Sequence, residues 1–175
     1  EFWFNRTLDS HQQHFYDFRG TTNASTVLVY MVNNTMYYFG SGSERITSGN
    51  VPSNKWVHFA LVRSSGSTKM YFDGVQTGST YSDSINVVGP DEGSGYIGSN
   101  GGTDGIIPSG SYLSAHLSNF RVQKGKAEYT AAFTPPTHRL EKTPETVLLT
   151  CNSSSSVSND ETGKIVIPSK ISINS

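Results

Sequence analysis

Charge is what this chain has least of. Charged residues make up 15% of it, and the formal net charge is -1, where an average soluble domain is about 25% charged. So even a balance carries no basic field to neutralise phosphates, which sets aside nucleic acid and anionic membrane as partners. Cysteine is reduced to Cys151, so no internal disulfide can form and the disulfide-stapled secreted scaffolds are excluded. Within "TVLLTC" that thiol is expected to pack as a small hydrophobe. Long apolar runs are missing too: no window approaches the ~18 residues of a spanning helix, so membrane insertion is not expected.

What fills the space is Ser, Thr, Asn and 17 Gly, with nine Tyr and nine Phe. That mixture suits short strands and many turns better than helices, whose surfaces favour Glu, Lys and Ala. At 175 residues the chain fits one domain, burying roughly 70% of its unfolded surface. It opens on "EFWFN", which already has the pattern of a strand interior, so the natural start is expected to lie upstream.

The clearest stretch is "NKWVHFALVRSSGSTKMYFDGVQTGS", residues 54–79. By alternation Trp56, His58, Ala60 and Val62 point one way, and Val57, Phe59, Leu61 and Arg63 the other. Both faces are largely apolar, so this strand belongs at the centre of a sheet packed against another, with Trp56, Phe59 and Leu61 as core anchors. "SSGS" turns the chain into "KMYFD", and Asp73-Gly74 turns it again, a strong hairpin signal. Asn33-Asn34 joins "TVLVYMV" to "TMYYFG" in the same way. "GYIG", "YLSAHLSNFRVQKG" and "TVLLTC" supply further strands, and "KIVIPSKISIN" a closing one or two with Pro168 at an edge or bend. "KAEYTAAFTPPTHR", closed by Pro135-Pro136, is the single candidate for a helical turn. The expected class is all-β, a two-sheet antiparallel jelly-roll sandwich over residues 1–151. Residues 152–175 form a polar loop and the closing strand or strands of the same domain.

Catalytic signatures are absent. The five histidines lack the spacing of a zinc site; His58 and His116 fall inside strand patterns, as core or interface residues. "GSGYIG" fits G-x-G-x-x-G but precedes no helix, so its glycines belong to a loop. Glycoside hydrolysis needs two carboxylates about 5–9 Å apart, and no strand carries an E-x-D or E-x-E pair. The chain is therefore not expected to be an enzyme.

"EFWFN", the 54–79 stretch, "YIGSNGG", "LSNFRVQKGKAEYTAAFTPP" and "TVLLTC" occur in that order. Together they resemble the laminin-G-like, concanavalin A-like lectin-glucanase jelly-roll domain in the form found in structural proteins of bacteriophages and marine viruses. That form often has a basic residue before Tyr129; here it is Glu128. The resemblance implies two antiparallel sheets and a noncatalytic, carbohydrate-binding role in a virion appendage such as a tail fibre, spike or capsid fibre. The implied location is the virion or another extracellular setting. Implied partners are host cell-surface polysaccharide, other virion proteins and copies of the chain itself, a trimer among the forms. A purely structural decoration or oligomerisation role is the alternative. Arg121 is expected to pair with a carboxylate near the sheet edge. Tyr129, Phe133, Pro135 and Pro136 are expected to latch a turn onto the sandwich.

Sugars are held by aromatic faces on their C–H patches and by Asn, Asp and backbone groups at their hydroxyls. The segment 89–112 is best endowed: Tyr96, Asn100, Asp104 and Tyr112 are the candidate glycan contacts, among glycines that let a ligand approach the backbone. Asp91 and Asp104 are the candidate ligands of a calcium ion, an optional cofactor rather than a required one. A solvated loop is the plain alternative. Tyr37-Tyr38 with Tyr30 make a second patch, one of them outward by alternation.

Overall fold

Alternating aromatic and β-branched residues form pleated strands because their side chains pack well only on a half-buried sheet. The computed structural model describes residues 1–7, 10–18, 27–84, 95–100 and 112–153, and within them every regular element is a strand. The first sheet contains β1 (Phe2–Arg6), β6 (Trp56–Ser64), β7 (Ser67–Phe72), β8 (Val75–Ser82) and β10 (Ala115–Ser118), in the order β10-β1-β6-β7-β8. The second contains β2 (Gln13–Asp17), β3 (Val27–Val32), β4 (Thr35–Gly40), β5 (Ser43–Asn50) and β9 (Tyr96–Ile97), in the order β5-β4-β3-β2-β9. A small third sheet pairs β11 (Phe120–Gln123) with β12 (Thr146–Thr150). All pairings are antiparallel. The result is the expected all-β sandwich, with β6 at the centre of its sheet.

The tight reversals are where the sequence places them. Asn33 (φ 53°) turns β3 into β4, Ser65 and Gly66 (48° and 75°) turn β6 into β7, and Asp73 and Gly74 (49° and 80°) turn β7 into β8. Two successive positive φ values give the turn whose twist matches that of its strands. Gly74 carries a second demand. A Cβ there would lie 1.7 Å from the Phe133 carbonyl oxygen, so only a hydrogen fits.

Between the sheets Phe2 is the hub. Its ring centroid lies 4.8 Å from Phe59, 5.1 Å from Phe120 and 5.5 Å from Phe15, with Val29, Met31, Met36, Tyr38, Ile46 and Met70 filling the remainder. Alternation along β1 sends Phe2, Phe4 and Arg6 inward, and all three are buried. The Arg6 guanidinium is held by backbone: it donates to the carbonyls of Val51, Pro52 (3.2 Å) and Asn33 (3.4 Å), and to Asn34 Oδ1 (2.7 Å). One cation thereby ties β1 to the β3–β4 hairpin and closes that end of the sandwich.

Two expectations are corrected. Residues 124–145 contain no helical turn. They run as an extended strap over the outer face of the first sheet, because the Phe133 amide donates to Gly74 O (3.1 Å) on the β7–β8 turn rather than to a carbonyl one turn back. Lys69 Nζ reaches Thr130 O (3.4 Å), and the rings of Tyr129 and Phe133 lie 3.6 Å apart and nearly parallel, facing His58. Trp56, expected in the core, is 46% exposed. It shares the outer face with His58, but the strap covers His58 and leaves the first residue of β6 uncovered. Phe59 is buried as expected, while Leu61 is only half-buried, packed against the core from its edge. Cys151 is half-buried against the core, and burial pushes its thiol pKa up, consistent with a packing role. Pro168 and the closing strand lie outside the described residues.

Candidate functional site

The candidate glycan contacts of the 89–112 segment are partly brought together. Tyr96 sits on β9 opposite Asp17, and an antiparallel bridge joins Ser99 to Tyr112, next to Asn100. Leu113 N donates to Gly98 O (2.9 Å), fixing that crossing. Tyr112 is 52% exposed, while Tyr96 and Asn100 are half-buried. Asp91 and Asp104 lie outside the described residues. Among the described residues no group of three His, Cys, Asp or Glu is placed to hold a metal ion.

The tyrosine patch is differently used. Tyr38 faces the core, 3% exposed. Tyr30 and Tyr37 share the other face, their rings stacked 5.2 Å apart, and the Tyr30 hydroxyl donates to Glu44 Oε1. Rings occupied with each other leave little flat surface for a sugar.

A better-formed depression lies at one end of the first sheet. Strand register sets it up: Trp3 pairs with His58 on one side and Ser118 on the other, and Asn5 pairs with Trp56 and His116. The outer face thus carries Trp56, Asn5 and His116 in one row, and His58, Trp3 and Ser118 in the next. His116 stands exposed there. The Trp3 ring leans edge-on against His58 at 5.2 Å, so its tilt is set by packing.

The opposite wall comes from the strap. Asn119, in left-handed backbone (φ 54°), turns the chain from β10 into β11 and accepts the Leu140 amide at Oδ1 (3.2 Å). Leu140 is buried at that anchor and Phe133 at Gly74 is the other, so Pro136, Thr137, His138 and Arg139 are held between two fixed points. With Trp3, Trp56, Ser118, Asn119 and Asn152 they line an open groove of about 480 Å³. That volume falls in the range of small-ligand sites. Two indoles offer apolar faces, and two amides, two hydroxyls, an imidazole and a guanidinium offer directed hydrogen bonds. Sequence reasoning missed this site because it put Trp56 inside. The parity of Trp3 against Phe2 and Phe4, and of Trp56 against Val57 and Phe59, was the available signal.

Under the strap lies a polar cluster that closes on itself. The Glu1 carboxylate receives Nε of Arg121 (2.9 Å), the Arg121 terminal nitrogen, the Tyr129 hydroxyl (2.8 Å) and His58 Nε2 (3.1 Å). Because a carboxylate only accepts, Nε2 is the protonated nitrogen of His58. Burial acts to raise the Glu1 pKa, but the hydrogen bonds from His58 and Tyr129 and the charge of Arg121 oppose it and hold the carboxyl below its ordinary range. The Glu1 side chain is only 5% exposed and Arg121 7%. This is the carboxylate partner expected for Arg121, found in the interior. Other carboxylates are likewise engaged: Asp83 with Arg63 (3.1 Å), Asp73 with the His58 amide (2.8 Å) and Glu44 with Tyr30.

The family model for the concanavalin A-like lectin/glucanases superfamily matches residues 1–128, which takes in β1 to β11 and both groove tryptophans. No curated protein and no solved structure matches the chain.

Proposed function

The chain belongs to the concanavalin A-like lectin/glucanases superfamily, and from that premise we propose that it is a noncatalytic carbohydrate-binding module which takes its saccharide in the Trp3–Trp56 groove. One observation carries this reading. Trp56 stands 46% open to solvent at the mouth of a groove whose other walls are rich in amides and hydroxyls. Indole faces stack on sugar C–H patches, and amides and hydroxyls read the ring hydroxyls. The bridge region of Tyr112 and Asn100 offers a second, smaller contact zone. A binding role is favoured over glucan cleavage because none of the residues lining the groove is a carboxylate, and a working acid–base couple must reach its substrate.

The order of motifs in residues 1–151 supports a finer placement, in a bacteriophage or marine-virus appendage that holds the particle to host surface polysaccharide. Calcium at Asp91 and Asp104 would supplement such binding. The exposed Val75 (66%) and Tyr112 favour a second reading, contact with other copies of the chain in a structural decoration.

A glycan array followed by isothermal titration, with and without calcium, tests the proposal. Saccharide binding is expected, and Trp56→Ala should weaken it about 30-fold, the size of an interface anchor. No saccharide binding in any condition would remove the reading. Turnover of a laminarin-type glucan would replace it with catalysis. Light scattering addresses the structural alternative, which requires a defined oligomer.

A further inference from the structure

Resting on the saccharide reading above, we infer that the ligand of this groove is an acidic saccharide, bearing a carboxylate or sulfate group, and that Arg139 selects it. The groove is lined by one guanidinium and one imidazole and by no carboxylate. That asymmetry is local, since the whole chain has 13 basic and 14 acidic residues. Lys55 precedes Trp56 and is exposed, and His116 is exposed one strand pair away on the same outer face. Glu1 shares that face by parity, but its charge is enclosed beneath the strap by Arg121, His58 and Tyr129. The nearest acid along the chain, Glu141, does not line the groove.

Arg139 also starts from a fixed base. Its neighbour Leu140 is buried, with its amide held by Asn119, so the side chain projects from backbone that does not need to order on binding. Arg139 is engaged within this structure. Being exposed, it is within reach of a ligand, which competes with that contact. A guanidinium offers paired parallel donors that match a carboxylate or sulfate, a geometry a neutral hydroxyl cannot use. The indoles then hold the ring that carries the acid, and Ser118, Thr137 and the Asn119 side-chain NH2 line the groove beside its hydroxyls.

Titration calorimetry on the full chain tests this with two matched pairs of probes: oligogalacturonate against its carboxyl-reduced form, and sulfated isomalto-oligosaccharide against the unsulfated one. The acidic member of at least one pair is expected to bind at least tenfold more tightly, and which pair does so separates carboxylate from sulfate. Arg139→Gln should abolish that preference by weakening the acidic member far more than the neutral one, and Trp56→Ala should weaken both members. Equal binding of acidic and neutral members, or a preference that survives Arg139→Gln, overturns the inference and leaves the groove reading standing. Acidic binding that persists undiminished in Trp56→Ala is unspecific charge attraction and overturns it too. If no probe binds and the glycan array is also empty, the saccharide reading itself fails.

Discussion

Arg6 sits at the end of β1 with its guanidinium inside the sandwich, where it donates to loop oxygens of the β3–β4 hairpin and of residues 51–52. Replacing it by Met keeps most of the volume but strands the buried Val51 carbonyl and removes three part-buried bonds, so Arg6→Met should lower the unfolding free energy by about 3 kcal/mol in urea titrations. The two aromatics of β6 make a sharper comparison. Phe59→Ala empties a fully buried site and should cost about 3–5 kcal/mol. Trp56→Ala removes a side chain that is 46% exposed, so its effect on stability should stay within about 1 kcal/mol while its effect on saccharide binding is large. Equal destabilisation by the two would place Trp56 back among the core residues. At this scale the sequence was legible for Phe59, Val57 and Arg121 and misleading for Trp56. Alternation assigns a face but not what covers it, and coverage of the outer face depends on a strap seventy residues away. Tyr112 was recognisable as exposed; the partnership of Trp3 with Trp56 required the β1–β6 register.

The elements divide by how their hydrogen bonds are satisfied. Hairpins were legible because a two-residue turn at Asn33-Asn34 or Asp73-Gly74 and the flanking alternation specify register locally. The strap was not, since its Tyr and Phe at four-residue spacing and its Ala pair read as one helical turn. Its amides bond to other elements or across its own two ends: Phe133 N to Gly74 O, Leu140 N to Asn119 Oδ1, and Lys124 N to Glu145 O. Only tertiary structure reveals that choice. Gly74→Ala tests it. Left-handed backbone alone costs a non-glycine residue about 1 kcal/mol, and Gly42→Ala, at φ 79° with nothing near its Cβ position, should show just that. Gly74→Ala must also push the Phe133 carbonyl away, so a loss of about 2–3 kcal/mol is expected, with faster amide exchange across 126–140. Matching losses for the two variants, and unchanged exchange in the strap, would mean the strap is not held at Gly74.

Across the whole molecule, the buried Glu1 cluster is the point where β1, β6, β11 and the strap are joined by charge rather than by apolar packing. Its pKa, held below the ordinary 4.5 by His58, Arg121 and Tyr129, makes the fold's stability depend on pH in a fixed direction. Below about pH 4.5 the folded state binds fewer protons than the unfolded one, so the stabilisation is complete above that pH and is lost as pH falls below it. Urea unfolding at pH 7, 4.5, 3 and 2 should therefore show a stability that is level at the upper end and falls steeply at the lower. Tyr129→Phe removes one donor to the ionised carboxylate, so it should cost about 1.5–3 kcal/mol at pH 7, and the deficit should shrink at pH 2 as the carboxylate protonates. An effect of the same size at both pH values would show that Tyr129 acts through its ring stack on Phe133 alone.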